Sequence, residues 1–208
     1  MTHDQLQAIH DDLAFMRGLA EEGRRAPLLG GSVLVGAGTS FGLASLLHWI
    51  LMRGDLGDAP WLGPAIWLTA MAAFLAVLFW SKRRLRDRTG AQAAANRATT
   101  AAWSGAASAI FALFAAFMLA SMLTGEWIIM SLLGPVYLAL YGAAWSVAAA
   151  MSDRGWIKGV AVASLLSSVG VAALAGRADQ YLAYALALVV VALLPGLALM
   201  RQAPSDVI

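Results

Sequence analysis

Six blocks of apolar residues separated by short polar segments run along the chain, at about residues 28–51, 61–80, 101–123, 127–151, 157–175 and 181–200. Each is close to the roughly 20 residues that an α-helix needs to cross the hydrocarbon core of a bilayer. The block ends carry the punctuation expected of spans. The first follows Arg24, Arg25 and Pro27, where proline suits an opening helical turn, and it reaches Trp49 before the polar stretch from Arg53 to Pro60. Trp61 and Trp80 bracket the second, and Trp103 and Trp127 lie near the starts of the third and fourth. Tryptophan is enriched at both edges of a bilayer, so these side chains are expected at the interfaces.

Ahead of the first block the pattern changes to that of an amphipathic helix. Residues 4–22 place Leu6, Ile9, Leu13, Met16 and Leu19 three or four apart, with Asp4, Asp11, Asp12, Glu21 and Glu22 on other faces and Gly23 as the stop. Helices that lie on anionic membranes carry Lys and Arg on the polar face, whereas this segment has Arg17 alone. Its apolar stripe is therefore expected to meet protein, either the chain's own loops or the groove of a partner. The predicted fold class is an all-α integral membrane protein: a six-transmembrane-helix bundle over residues 26–201, preceded by a cytoplasmic amphipathic helix with its basic flank (1–25) and followed by a short tail (202–208). Leu62-Gly63-Pro64 near the start of the second span and Leu133-Gly134-Pro135 within the fourth raise a three-hairpin repeat as the internal organisation.

Composition agrees with this pattern and narrows it. Of 208 residues, 61% are hydrophobic and 12% charged, against about a quarter charged in soluble domains, and six spans leave no length for a catalytic head. There is no cysteine, which removes disulfides, thiolate metal sites and cysteine nucleophiles together. The basic residues set the orientation. Twelve of the fourteen Lys and Arg residues fall in the N-terminal segment, the second and fourth loops and the tail; only Arg53 and Arg177 fall in the alternate loops. Both termini are thus expected in the cytoplasm. The high proportion of arginine and alanine points to a GC-rich bacterial source, and so to the bacterial cytoplasmic (inner) membrane. Arg24-Arg25 reads as an anchor for an uncleaved first span, since the apolar run after it is too long for a cleavable signal.

The densest basic run is Lys82, Arg83, Arg84, Arg86 and Arg88. A positive-inside anchor that also attracts anionic lipid accounts for it; without interleaved aromatics or a motif it does not point to nucleic acid. The acidic N-terminal helix could fold over this loop as a salt-sensitive cap.

Within the spans there is little chemistry. No Asp, Glu, Lys or Arg falls mid-span, which argues against proton pumping and ion-coupled transport. His48 is the lone imidazole in a span, and twenty residues past Leu28 it stands about 30 Å along the helix, beside Trp49, where an interfacial anchor reaching water is its expected role. Small residues four apart at Ser32, Gly36, Ser40 and Ala44, at Gly38 and Gly42, at Gly105 and Ala109, and at Gly159, Ala163 and Ser167 predict close helix seams, with a homodimer face as the other use. Pro135 and Pro195 each deprive a carbonyl four residues back, Ser131 and Val191, of its donor. Bends filled by neighbours are the simpler expectation; where they open a cavity, Trp67, Tyr137, Tyr141 and Tyr184 are the candidate lining. No cofactor or metal site and no nucleophile–base arrangement is visible.

In size and topology the chain resembles the six-span membrane anti-sigma factors of proteobacteria, and it departs from them in having no cysteine. The expected function is that of a non-enzymatic inner-membrane protein, a protein-interaction or signalling component acting through Leu6, Ile9, Leu13, Met16 and Leu19. The alternative is a permease or lipid-binding protein for an uncharged or apolar solute. Membrane lipids and a cytoplasmic or membrane protein are the expected partners.

Overall fold

A computed structural model describes residues 7, 9–10, 12–16, 18, 28, 30–54, 59–85, 94–152 and 154–202. The described residues form helices and turns with no strand among them. In chain order they are α1 (Gly31–Met52), α2 (Leu62–Leu85), α3 (Ala94–Thr124), a 3-10 segment (Trp127–Leu132) leading into α4 (Leu133–Met151), α5 (Gly155–Ala172), and α6 (Asp179–Gln202), which is interrupted by a π turn at Val189–Leu193. Six helices are long and apolar enough to cross a bilayer. The chain is a multi-pass membrane protein.

The spans fall where the apolar blocks lie, with two extensions. α2 runs through Lys82, Arg83 and Arg84 to Leu85, and α3 begins at Ala94, ahead of its apolar block, because the flanking alanines and long basic side chains are good helix formers. Glycine ends α3: Gly125 takes φ 77° and returns its N–H to the Ser121 carbonyl at 2.9 Å, a left-handed stop that only glycine adopts without strain. The two Leu-Gly-Pro phrases open α2 and α4, yet Pro64 is exposed and Pro135 buried.

In space the helices neighbour one another in the order α2, α1, α6, α5, α4, α3. α1 and α6 are the most buried spans, while α2 and α3 stand at the two edges and bury least. The α1 glycines make this order. A Cβ on Gly31 would lie 2.7 Å from the Gly196 carbonyl oxygen, one on Gly38 would lie 2.8 Å from the Leu193 backbone nitrogen, and one on Gly36 would lie 2.6 Å from a Val77 methyl. α1 is thus pressed backbone to backbone on α6 and against a valine of α2, the contact that small residues permit in lipid. The stripe expected in α5 is different: Gly159 is exposed with open space around it, and α5 buries Ile157, Ala161, Ser164 and Val171 instead. Gly105 in α3 likewise faces open space.

Candidate functional site

The proline carbonyls locate the polar interior. Trp145, 1% exposed, donates its Nε1–H to the Val191 carbonyl at 2.9 Å, so the oxygen that Pro195 cannot serve is served from α4. Gln180, also buried, donates to the Ser131 carbonyl at 2.6 Å, replacing the donor that Pro135 lacks. In hydrocarbon an unserved carbonyl costs several kcal/mol, and both of those at issue here are met by a side chain of another helix. Sequence reading marked the two acceptors and missed both donors. Immediately before Pro195 the helix widens into the π turn, with the Leu194 N–H reaching back to Val189, and Gly38 of α1 makes room for it.

Hydroxyls fasten the remaining contacts. Ser164 donates to the Leu138 carbonyl at 2.8 Å and Ser168 to the Pro135 carbonyl at 2.7 Å, joining α5 to α4. Around them two apolar clusters form. One gathers Leu28, Leu34, Ala95, Trp145, Ile157 and Leu199, with Trp103, Tyr141 and Trp156 packed on it. The other gathers Leu138, Val171, Ala187 and Val191, with Tyr141 and Tyr184 against it. Trp103 is thus no simple interface marker. It stands edge-on to Tyr141 at 5.0 Å and to Trp145 at 5.4 Å, because α3 begins well before its apolar block and carries this residue inward.

The candidate cavity residues divide into two places. Tyr141 and Tyr184 share the second cluster, Tyr184 lies against Gly134, where a Cβ would sit 3.3 Å from its ring, and the Tyr137 hydroxyl donates to the Ile110 carbonyl at 3.4 Å. Trp67 is elsewhere, on α2, where its Nε1–H donates to Nδ1 of His48 at 3.3 Å.

His48 is the centre of a group that sequence reading treated as an anchor. Its ring lies 4.3 Å from that of Tyr181 on α6 and 6.0 Å from that of Trp67 on α2. Gly63 in the first turn of α2 leaves space beside it, a Cβ there standing 3.4 Å from Cε1. On the same face Ser45 donates to the Tyr181 carbonyl at 2.7 Å, and Trp49 donates to the Asp179 carboxylate at 3.4 Å. His48 is half-buried among three helices, because α6 returns beside α1 and covers it. The spacing of His48 and Trp49 was visible in the sequence; the return of Tyr181 was not.

At the opposite, basic end, Lys82, Arg83 and Arg84 are exposed on the last turn of α2, with the Arg84 guanidinium 4.2 Å over the Trp80 ring. Arg86 and Arg88 lie outside the described residues. An open depression of about 440 Å³ lies beside Arg154, Trp156 and Gln202. Of the N-terminal stripe, Ile9, Leu13 and Met16 are helical and exposed, while Leu6 and Leu19 lie outside the described residues. Among the described residues no group of three His, Asp or Glu side chains gathers at one place. No family model matches the chain, and no curated protein or solved structure matches it.

Proposed function

We propose that the chain is a non-enzymatic protein of the bacterial cytoplasmic membrane, with both termini in the cytoplasm, that works as a protein-interaction or regulatory component through its N-terminal segment. One observation carries this reading. Ile9, Leu13, Phe15 and Met16 stand on helical residues ahead of α1 with exposures of 42%, 47%, 68% and 57%. Large apolar side chains gathered in one short exposed segment mark an interaction surface, and the acidic balance of the segment favours protein over anionic lipid as its cover.

A photo-crosslinking residue placed at Leu13 or Met16 in living cells is expected to give one discrete adduct, lost on introducing Leu13→Asp or Met16→Asp into the same chain. No adduct at either position, or one indifferent to both charges, overturns the reading. So does a deletion of residues 1–22 that leaves every cellular interaction intact.

The second reading, binding of a lipid or an uncharged apolar solute, rests on the depression beside Arg154, Trp156 and Gln202. A cation and a tryptophan at a span end suit a lipid headgroup. A solute path between α4 and α6 has less support, since Tyr141 and Tyr184 are packed into a cluster there.

A further inference from the structure

The geometry points to His48 as a proton-binding site whose occupancy releases the adjoining end of α2 from α1. Trp67 Nε1–H is a donor only, and it donates to His48 Nδ1 at 3.3 Å. That nitrogen must therefore present a lone pair, which places the ring's own proton on Nε2. An imidazolium carries N–H on both nitrogens and has no acceptor left. Binding a proton at Nδ1 sets N–H against N–H across the same 3.3 Å, and the bond between α1 and α2 is lost.

The other face of the ring decides which helix keeps the histidine. Tyr181 of α6 lies 4.3 Å away, centroid to centroid, and an aromatic face attracts a cation placed within about 6 Å of it; Trp67, at 6.0 Å, turns its N–H toward the ring and so presents the positive edge of its quadrupole instead. The charged ring is held by α6 and separated from α2. The groups around it do not reverse this. α2 carries no charged residue from Leu62 to Ser81, and α6 contributes Tyr181 and, two residues before it, Asp179, paired with Arg177 at 3.8 Å. α1 contributes Arg53, stacked 5.0 Å over Trp49. Among these described groups the Asp179 carboxylate favours the imidazolium while the two guanidiniums oppose it.

α2 is suited to move because it is an edge helix that buries little. Gly63 beside His48 and Leu51 belongs to the end that parts, while Gly36 against Val77 and Phe41 against Phe74 at 5.3 Å lie toward the basic half and form the pivot. Imidazole is the side chain suited to exchange a proton near physiological pH, so acidification at this end of the bundle is the signal the device reads.

The absence of cysteine allows a direct test by paired spin labels in nanodiscs. Labels at Leu68→Cys on α2 and Leu186→Cys on α6 report the His48 end; labels at Phe79→Cys and Leu197→Cys report the pivot half. As pH is lowered from about 8 to about 5, across the imidazole range, the first distance is expected to lengthen and the second to hold. His48→Gln removes the titrating ring and abolishes the shift. Trp67→Phe, which keeps an aromatic ring and removes the N–H with the pyrrole ring that carries it, gives the longer distance already at the higher pH. The proposal is overturned if the first distance is constant with pH, if His48→Gln shifts like the parent chain, or if Trp67→Phe leaves the short distance in place; should His48→Gln not fold, Trp67→Phe decides alone.

Discussion

Trp145 and Ser164 make hydrogen bonds of nearly equal length whose loss carries different costs. Trp145 serves the Val191 carbonyl, which Pro195 leaves without a helical donor, and both Trp145 and Val191 are buried. Trp145→Phe keeps most of the ring and strands that oxygen, at about 1–3 kcal/mol. Ser164 serves the Leu138 carbonyl, which still faces the N–H of Gly142 four residues on, so Ser164→Ala removes a second bond and costs only about 0.6 kcal/mol, the average for such contacts in membranes. A double-mutant cycle separates the two cases. Pro195→Ala restores an N–H near Val191, and in that background Trp145→Phe is expected to cost markedly less, as read from unfolding curves in mixed micelles. Equal costs in both backgrounds would show that Trp145 contributes packing alone.

The α1 glycines and Gly159 belong to the same sequence device and have opposite surroundings, which is the element-scale lesson of the bundle. Gly38→Val meets the Leu193 backbone, where even a Cβ would lie 2.8 Å from the nitrogen. Neither backbone can yield without parting α1 from α6, and a cost at or above the roughly 1–3 kcal/mol of ordinary overpacking is expected. Gly159→Ala enters open space and relieves a helix-interior glycine, so a gain of about 0.5–1 kcal/mol is expected. Thermal unfolding in nanodiscs ranks the pair. Periodicity alone could not separate them, because spacing four apart places residues on one face without saying which helix covers that face. The spans were legible because lipid demands about 20 apolar residues from each of them. The Ser131 and Val191 acceptors were legible because proline lacks an N–H. Their donors, Gln180 and Trp145, were not, because they come from other helices. Tyr181 reaches His48 for the same reason, since α6 returns beside α1 across more than a hundred intervening residues of chain.

At the scale of the whole molecule the charges divide the bundle into two unlike ends. One end carries Lys82, Arg83, Arg84, Arg154, Lys158 and Arg201, and the other has Arg53 and Arg177, with Asp179 paired to the latter. Segments rich in Lys and Arg are retained in the cytoplasm during insertion, so the proposed orientation puts the basic end inside. With no native cysteine, single substitutions test this in intact cells. A membrane-impermeant thiol reagent is expected to label Met52→Cys and Trp61→Cys, which are exposed at the less basic end, and to spare Lys82→Cys and Gln202→Cys until the membrane is opened. Labelling of all four would mean two orientations in one population, and the reverse pattern would place the N-terminal segment outside, away from any cytoplasmic partner. The result also assigns a compartment to His48. In the expected orientation the Trp67 bond faces the exterior and responds to external acid, while Leu13 and Met16 lie inside. A change in crosslinking from Leu13 or Met16 on external acidification, abolished by His48→Gln, is then the outcome that would join the two ends into one regulated protein.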